Sequence, residues 1–187
     1  MAKFFGNLNA VMIVGLIAAF ALMFGLDGDM VTGNAIGRWL HLFFGVLWIG
    51  LLYYLNFVQV PLMPTIPDEL KPAVGKHIAP KVLFYFRWAA LLTVITGLYV
   101  AWASGWVHQA MTLQQPYTLI GTGMWIAIIM AANVWFIIWP KQKRVLGIVE
   151  ATADEKAAAG KIALMASRTN VLLSLPMFYA MVNANAG

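Results

Sequence analysis

The sequence predicts an all-α integral membrane protein, a bundle of about five transmembrane helices with its N-terminus cytoplasmic and its C-terminus outside. Three observations predict it. Of the 187 residues, 62% are hydrophobic and 10% charged, against about 45–50% and about 25% in soluble domains. Five stretches reach or approach the roughly 20 apolar residues that cross a hydrocarbon core of about 30 Å. The basic residues also collect in alternate connections, the pattern of the positive-inside bias. Residues 1–187 then form a single multi-pass domain in the lipid bilayer of a bacterial inner (cytoplasmic) membrane.

The spans fall at Leu8–Leu26, Ile36–Val60, Val82–Ser104, Thr118–Trp139 and roughly Ile162–Val182. The first follows one lysine, as a signal peptide would. Its long apolar run and the lack of a small-x-small cleavage site favour a retained helix, and Asp27-Gly28-Asp29 reads as an ordinary loop. Pro61, Pro64 and Pro67 are expected to stop the second span, because proline cannot continue the hydrogen-bond ladder. Asp68–His77 is expected as a short interfacial helix. After Pro140, Lys141–Glu150 reads as a basic piece lying at the headgroups. Thr152 and Glu155 have capping-box spacing, so the last helix starts in the cytoplasm and enters the membrane near Ala163. It is the weakest span, because Arg168 and Asn170 interrupt it.

Charge sets the orientation. Lys3, Lys71, Lys76, Lys81, Lys141, Lys143, Arg144, Lys156 and Lys161 all fall on one side, and Arg87 and Arg168 lie at span ends on that side. Of the twelve bases only Arg38 disagrees. The net charge of +5 does not indicate nucleic acid, since the bases are too dispersed to track phosphates. Zero cysteines exclude disulfides, thiolate metal sites, cysteine nucleophiles and a covalent c-type haem. No phosphate loop, metalloprotease helix, serine elbow or dinucleotide fingerprint is present, and no hydrolytic triad can be assembled.

Polar side chains inside a bilayer are costly and usually face a bundle interior, water or a ligand. His41 lies about one and a half turns inside the second span, with Gly45 and Trp48 at i+4 and i+7 on its face. A glycine one turn from a histidine leaves space for a flat ligand or for a close helix. His41 is a candidate ligand to haem iron, and His108, on the same outer side, is the candidate second ligand of a b-type haem. The alternative is a histidine bonded to a neighbouring helix and a solvated loop residue. His77 lies on the other face.

Asn56, Gln59, Arg87, Asn133 and Asn170 come to a similar depth in the inner leaflet from four spans. Asn56, Arg87, Asn133 and Asn170 are the candidate substrate-binding residues, for an anionic or quinone-like ligand. The competing reading is interhelical amide pairing with Arg87 snorkelling to the headgroups. Asn170, Ser174, Met177 and Met181 share one face of the last helix. Trp39, Trp102, Trp106, Tyr117 and Trp139 sit near span ends, as belt residues do.

Three stretches carry a family resemblance: His41-Leu-Phe-Phe-Gly-Val-Leu-Trp-Ile-Gly-Leu-Leu-Tyr-Tyr-Leu-Asn-Phe-Val-Gln-Val-Pro61, Asn133-Val-Trp-Phe-Ile-Ile-Trp-Pro-Lys-Gln-Lys143 and Ser167-Arg-Thr-Asn-Val-Leu-Leu-Ser-Leu-Pro-Met177. With Phe86-Arg-Trp-Ala-Ala and Thr96-Gly they resemble the membrane domain of the bacterial cytochrome-linked urate oxidases. That resemblance implies oxidation of urate to 5-hydroxyisourate. It marks His41, Trp48, Asn56, Arg87, Asn133, Arg168 and Asn170 as motif positions. Members of that kind carry more spans and a c-type cytochrome domain. Here, electrons would pass instead through a noncovalent haem, a quinone, a cytochrome c or other membrane subunits. The expectation is a membrane redox protein of this type. A non-catalytic structural or assembly subunit of a respiratory or photosynthetic complex is the alternative. Transport is the weaker third, since no acid lies within a span.

Overall fold

The computed structural model describes residues 1–27 and 32–184. The loop expected around Asp27–Asp29 lies, from residue 28, outside the described residues. Regular structure among the described residues is entirely helical. After a single turn at Ala2–Phe5 come α1 (Leu8–Leu26), α2 (Gly33–Thr65), α3 (Lys71–Ala103), α4 (Val107–Met111), α5 (Thr118–Val145) and α6 (Ala153–Asn183). Helices α1, α2, α3 and α5 are long and apolar enough to cross a membrane. Helix α6 has 31 residues, about 46 Å at 1.5 Å per residue. It is the most polar of the long helices, since Asp154, Glu155, Lys156, Lys161 and Arg168 interrupt it.

The chain divides into two compact units, Met1–Ile36 and Gly37–Gly187. In the first, Asn7 caps α1 by accepting from the Ala10 amide at 3.2 Å. No α1 side chain is buried.

In the second unit, sequential long helices run antiparallel. Gly37 faces Tyr99 and Val100, and Gly45 faces Thr93 at 3.8 Å, which sets α2 against α3 in opposite directions. Trp135 reaches back to Arg87 while Ala101 clusters with Met124, which does the same for α3 and α5. Gly123 meets Ala180 while Asn133 meets Asn170, so α5 and α6 are antiparallel too. Short connections between long helices favour this up-down arrangement. The core holds Trp48, Leu52, Phe86, Met130, Val134 and Met177. A smaller cluster of Ala101, Ala110 and Met124 lies where α4 folds against α5.

Prolines do not end the helices where expected. The second helix passes Pro61 and Pro64 and ends at Thr65. Ile66 then turns extended, the conformation favoured before a proline such as Pro67. Asp68–His77 is not a separate interfacial helix: from Lys71 the chain is already in α3, and passes Pro80. Helix α5 likewise continues through Pro140 to Val145. The physical reason is common to all three. A π-helical turn precedes each proline: Tyr54–Gln59 before Pro61, Val74–Ile78 before Pro80 and Val134–Ile138 before Pro140. Proline lacks an N–H and crowds the carbonyl one turn back. The wider turn shifts bonding to i→i+5 and relieves that clash. Pro176 is carried inside α6.

Helices α3 and α5 end on glycines at positive φ, Gly105 at 80° and Gly147 at 73°. The Trp106 amide donates to Ala101 O and the Ile148 amide to Lys143 O, the six-to-one bonds that a left-handed residue permits. The capping box at the start of α6 is present as expected. Glu155 N–H donates to Thr152 Oγ1 at 3.3 Å and Thr152 N–H to Glu155 Oε2 at 2.8 Å. These bonds hold the Glu155 carboxyl below its ordinary range. A depressed acid stabilises the folded state above its unfolded pKa, and that contribution is lost as pH falls through the lower folded value. Thr152→Ala is expected to cost about 1 kcal/mol, read as faster amide exchange over 153–156. In the wild type the same amides should lose protection as the medium is acidified below the glutamate range.

Candidate functional site

The polar residues of the second unit form two groups, separated along α2 by the fifteen residues from His41 to Asn56, about 22 Å.

At the His41 end, the histidine Nδ1 lies 2.9 Å from the Thr93 carbonyl oxygen. A carbonyl oxygen only accepts, so Nδ1 is the donor in this bond. The imidazole fits because residue 97 is glycine: a Cβ there would come within 2.7 Å of His41 Cε1. Gly97→Ala should therefore displace the ring and break the bond to Thr93. A changed His41 imidazole NMR shift without loss of helix content would show it.

The residues expected around a haem are not brought together. Gly45 lies beside Thr93 of α3, where an added Cβ would make an ordinary contact at 3.8 Å. Trp48 is 0% exposed in the main core, and its indole N–H has no partner among the described residues. His108 is exposed on α4 and does not line the cavity beside His41. That cavity measures 20 Å³, whereas sites for drug-sized ligands and cofactors run to about 300–1,000 Å³. It holds one small species, so these residues do not fit a haem as the chain is folded here.

At the other end the amides converge. Asn170, 0% exposed, donates to Met130 O at 3.0 Å and accepts from Asn133 Nδ2 at 2.8 Å. Asn133 also donates to Ala166 O at 2.8 Å. Asn56 donates to Leu52 O and to Ser167 Oγ, at 2.9 and 2.8 Å. One turn on, Tyr53 Oη and Ser174 Oγ are 2.8 Å apart. Residues 166–170 of α6 thus receive an amide from α2 on one side and from α5 on the other. Asn56 lies within a π-turn, and Asn133 immediately precedes another. Such turns are frequent at functional sites.

These amides are only half satisfied. Asn56 Oδ1, Gln59 Oε1 and Asn133 Oδ1 are buried and accept no hydrogen bond among the described residues. A buried acceptor without a donor costs about 1–3 kcal/mol, so three at one end of a bundle suit a ligand that presents N–H or O–H groups.

Arg87 is placed differently. Its guanidinium carbon lies 3.9 Å from the Trp139 ring centroid and 5.5 Å from that of Phe84, and its carbonyl accepts from Trp135 Nε1 at 3.0 Å. Two residues turn an α-helix by about 200°, so Arg87 and the Asn133–Asn170 pair meet different faces of α5. The guanidinium has no acidic partner among the described residues. It supplies positive charge at that level rather than a bond within the amide group.

Sequence reasoning missed Tyr53, Ser167 and Gly97. Gly97 was legible only as part of Thr96-Gly, and nothing in the pattern paired it with His41. Among the described residues no group of three His, Cys, Asp or Glu could hold a metal.

Long apolar helices around a buried amide network define a helical membrane-type domain. The urate oxidase N-terminal family model matches residues 88–186, just over half of the chain, and the chain belongs to that family. The match contains Asn133, Arg168 and Asn170 and begins one residue after Arg87. No curated protein and no solved structure matches the chain.

Proposed function

We propose that the chain is a five-span protein of the bacterial inner membrane that binds urate, or a closely related oxopurine, at the amide end and takes part in its oxidation. One observation carries the reading. Asn56 Oδ1 and Asn133 Oδ1, buried acceptors from two helices with no donor among the described residues, are held against one turn of α6. Urate is planar, presents ring N–H donors and is anionic at neutral pH. The acceptors suit its N–H groups, and the unpaired Arg87 guanidinium supplies positive charge at the same level. Asn170 positions Asn133. Family membership supports the same ligand class.

Oxidation to 5-hydroxyisourate consumes one water and releases two protons and two electrons. With no cysteine for a covalent haem, those electrons leave to a cytochrome c, a membrane quinone or another membrane subunit. Membranes containing the protein, supplied with urate and ferricytochrome c or a quinone analogue, should reduce the acceptor in step with urate loss. Asn133→Leu should lower that rate by about tenfold or more, the loss of one well-placed hydrogen bond to a charged ligand. Acceptor reduction independent of urate would overturn the redox reading. Stoichiometric co-purification with a larger complex and no urate binding would favour a structural subunit.

A further inference from the structure

Arg87 carries a fixed, unpaired positive charge beside exposed aromatic rings, and that combination identifies a partner. On α3 the stretch from Trp88 to Ala103 has no formal charge, a length of about 24 Å, so Arg87 stands where the apolar run ends. Its guanidinium carbon lies 3.9 Å from the Trp139 ring centroid and 5.5 Å from that of Phe84. Stacking of this kind fixes the guanidinium plane and leaves the N–H groups, which lie in that plane, free to fork onto an oxyanion. No acid among the described residues pairs with it.

The surroundings suit a lipid better than a free anion. Trp88 packs edge-to-face on Trp135, with centroids 5.4 Å apart, and lies 6.4 Å from Phe84. Phe84 and Trp88 are 46% and 41% exposed. Trp135 is one turn nearer the middle of α5 than Trp139, and its indole N–H donates to the Arg87 carbonyl at 3.0 Å. The rings thus form an apolar track leading from the guanidinium along α3 and α5 towards the hydrocarbon. A free anion would use the guanidinium and leave that track bare. The last segment of α5, Trp139–Val145, holds Lys141, Lys143 and Arg144 and no acid, which favours an anionic headgroup. We propose that Phe84, Arg87, Trp88, Trp135 and Trp139 form a site for one anionic phospholipid, with its phosphate on Arg87 and an acyl chain against the Trp88–Trp135 pair. The amide group meets another face of α5. A lipid here leaves its hydrogen bonds untouched and offsets only the charge that Arg87 lends to that level.

The test uses the full chain purified in detergent and native mass spectrometry. The titrants are phosphatidylglycerol, phosphatidylcholine with the same acyl chains, and inorganic phosphate. One phosphatidylglycerol should bind in preference to phosphatidylcholine. Arg87→Gln should weaken that binding roughly 15- to 150-fold, the range for hydrogen bonds to a charged group. Arg87→Lys keeps the charge but loses the planar fork, and should recover only part of the loss. Arg144→Gln removes the same charge from the exposed end of α5. It should cost no more than about fivefold, the worth of a loosely placed surface base. Three results would overturn the proposal. One is equal retention of the two lipids by helical wild-type protein. Another is an equal loss in Arg87→Gln and Arg144→Gln, the mark of diffuse surface charge. The third is displacement of phosphatidylglycerol by inorganic phosphate at matched concentration, the mark of a site for a free anion. No urate is present in these titrations, so failure of either site leaves the other intact.

Discussion

Gly121→Ala is expected to lower the thermal unfolding midpoint by about 10 °C, the largest effect of any single methyl group in this chain. A Cβ at position 121 would overlap the carbonyl oxygen of Ala110 and press on the Leu113 side chain. The obstacle is backbone, held by the Leu113 amide donating to that same oxygen. A rotamer change cannot relieve it. Helix α4 must move off α5, opening the cluster of Ala101, Ala110 and Met124. Overpacking costs about 1–3 kcal/mol and sometimes more, and each kcal/mol shifts the midpoint by roughly 2–4 °C at this chain length. Gly50→Ala is the control. A Cβ there meets nothing within 4 Å, so the midpoint should hold or rise slightly, as alanine is the better helix former. Equal losses in the two variants would refute the close approach of α4 and α5.

Asn170→Asp should be the most damaging change in the amide group, by about 3–5 kcal/mol if the carboxylate stays ionised. The Asn133 amide can still donate to one oxygen, but the other then faces the Met130 carbonyl, to which the asparagine now donates. An uncompensated charge would occupy a position that is 0% exposed. Asn170→Ala removes the same bonds without adding charge. It should cost only about 1–2 kcal/mol, in keeping with measured hydrogen bonds between membrane helices. Unfolding titrations with a denaturing detergent, read by circular dichroism, would separate the two. Equal stability of the aspartate and alanine variants would mean that residue 170 does not face Met130 and Asn133.

The long apolar runs and the clustering of lysines made the helices legible from sequence, and four of the five expected spans have the length and hydropathy to cross a membrane. The capping box was legible because Thr152 and Glu155 are local. Helix ends at Pro61 and Pro140 were misplaced because a π-turn accommodates each proline, and no composition rule announces one. The depth of Asn56, Asn133 and Asn170 could be counted along each span, so their shared level was readable. Their partners were not, because pairing depends on the rotation of each helix about its own axis. That rotation is set by close contacts such as Gly97 with His41 and Gly123 with Ala180. Arg87 shows the same limit. The sequence placed it at the start of the third span, whereas α3 begins at Lys71 and carries Arg87 at mid-helix, with its aromatic seat on Trp139 across α5 from the amides.

Buried acceptors without donors distinguish this amide group among the described residues, and wild-type protein alone can test their role. Equilibrium dialysis of the detergent-purified chain against labelled urate, with fully N-methylated urate as competitor, removes the N–H donors, and with them the anionic charge, while keeping the ring. Saturable binding of urate that the methylated compound fails to displace is the expected result. Displacement by the methylated compound at equal concentration, or no saturable binding by folded protein, would contradict the assignment of Asn56 and Asn133 as the urate site.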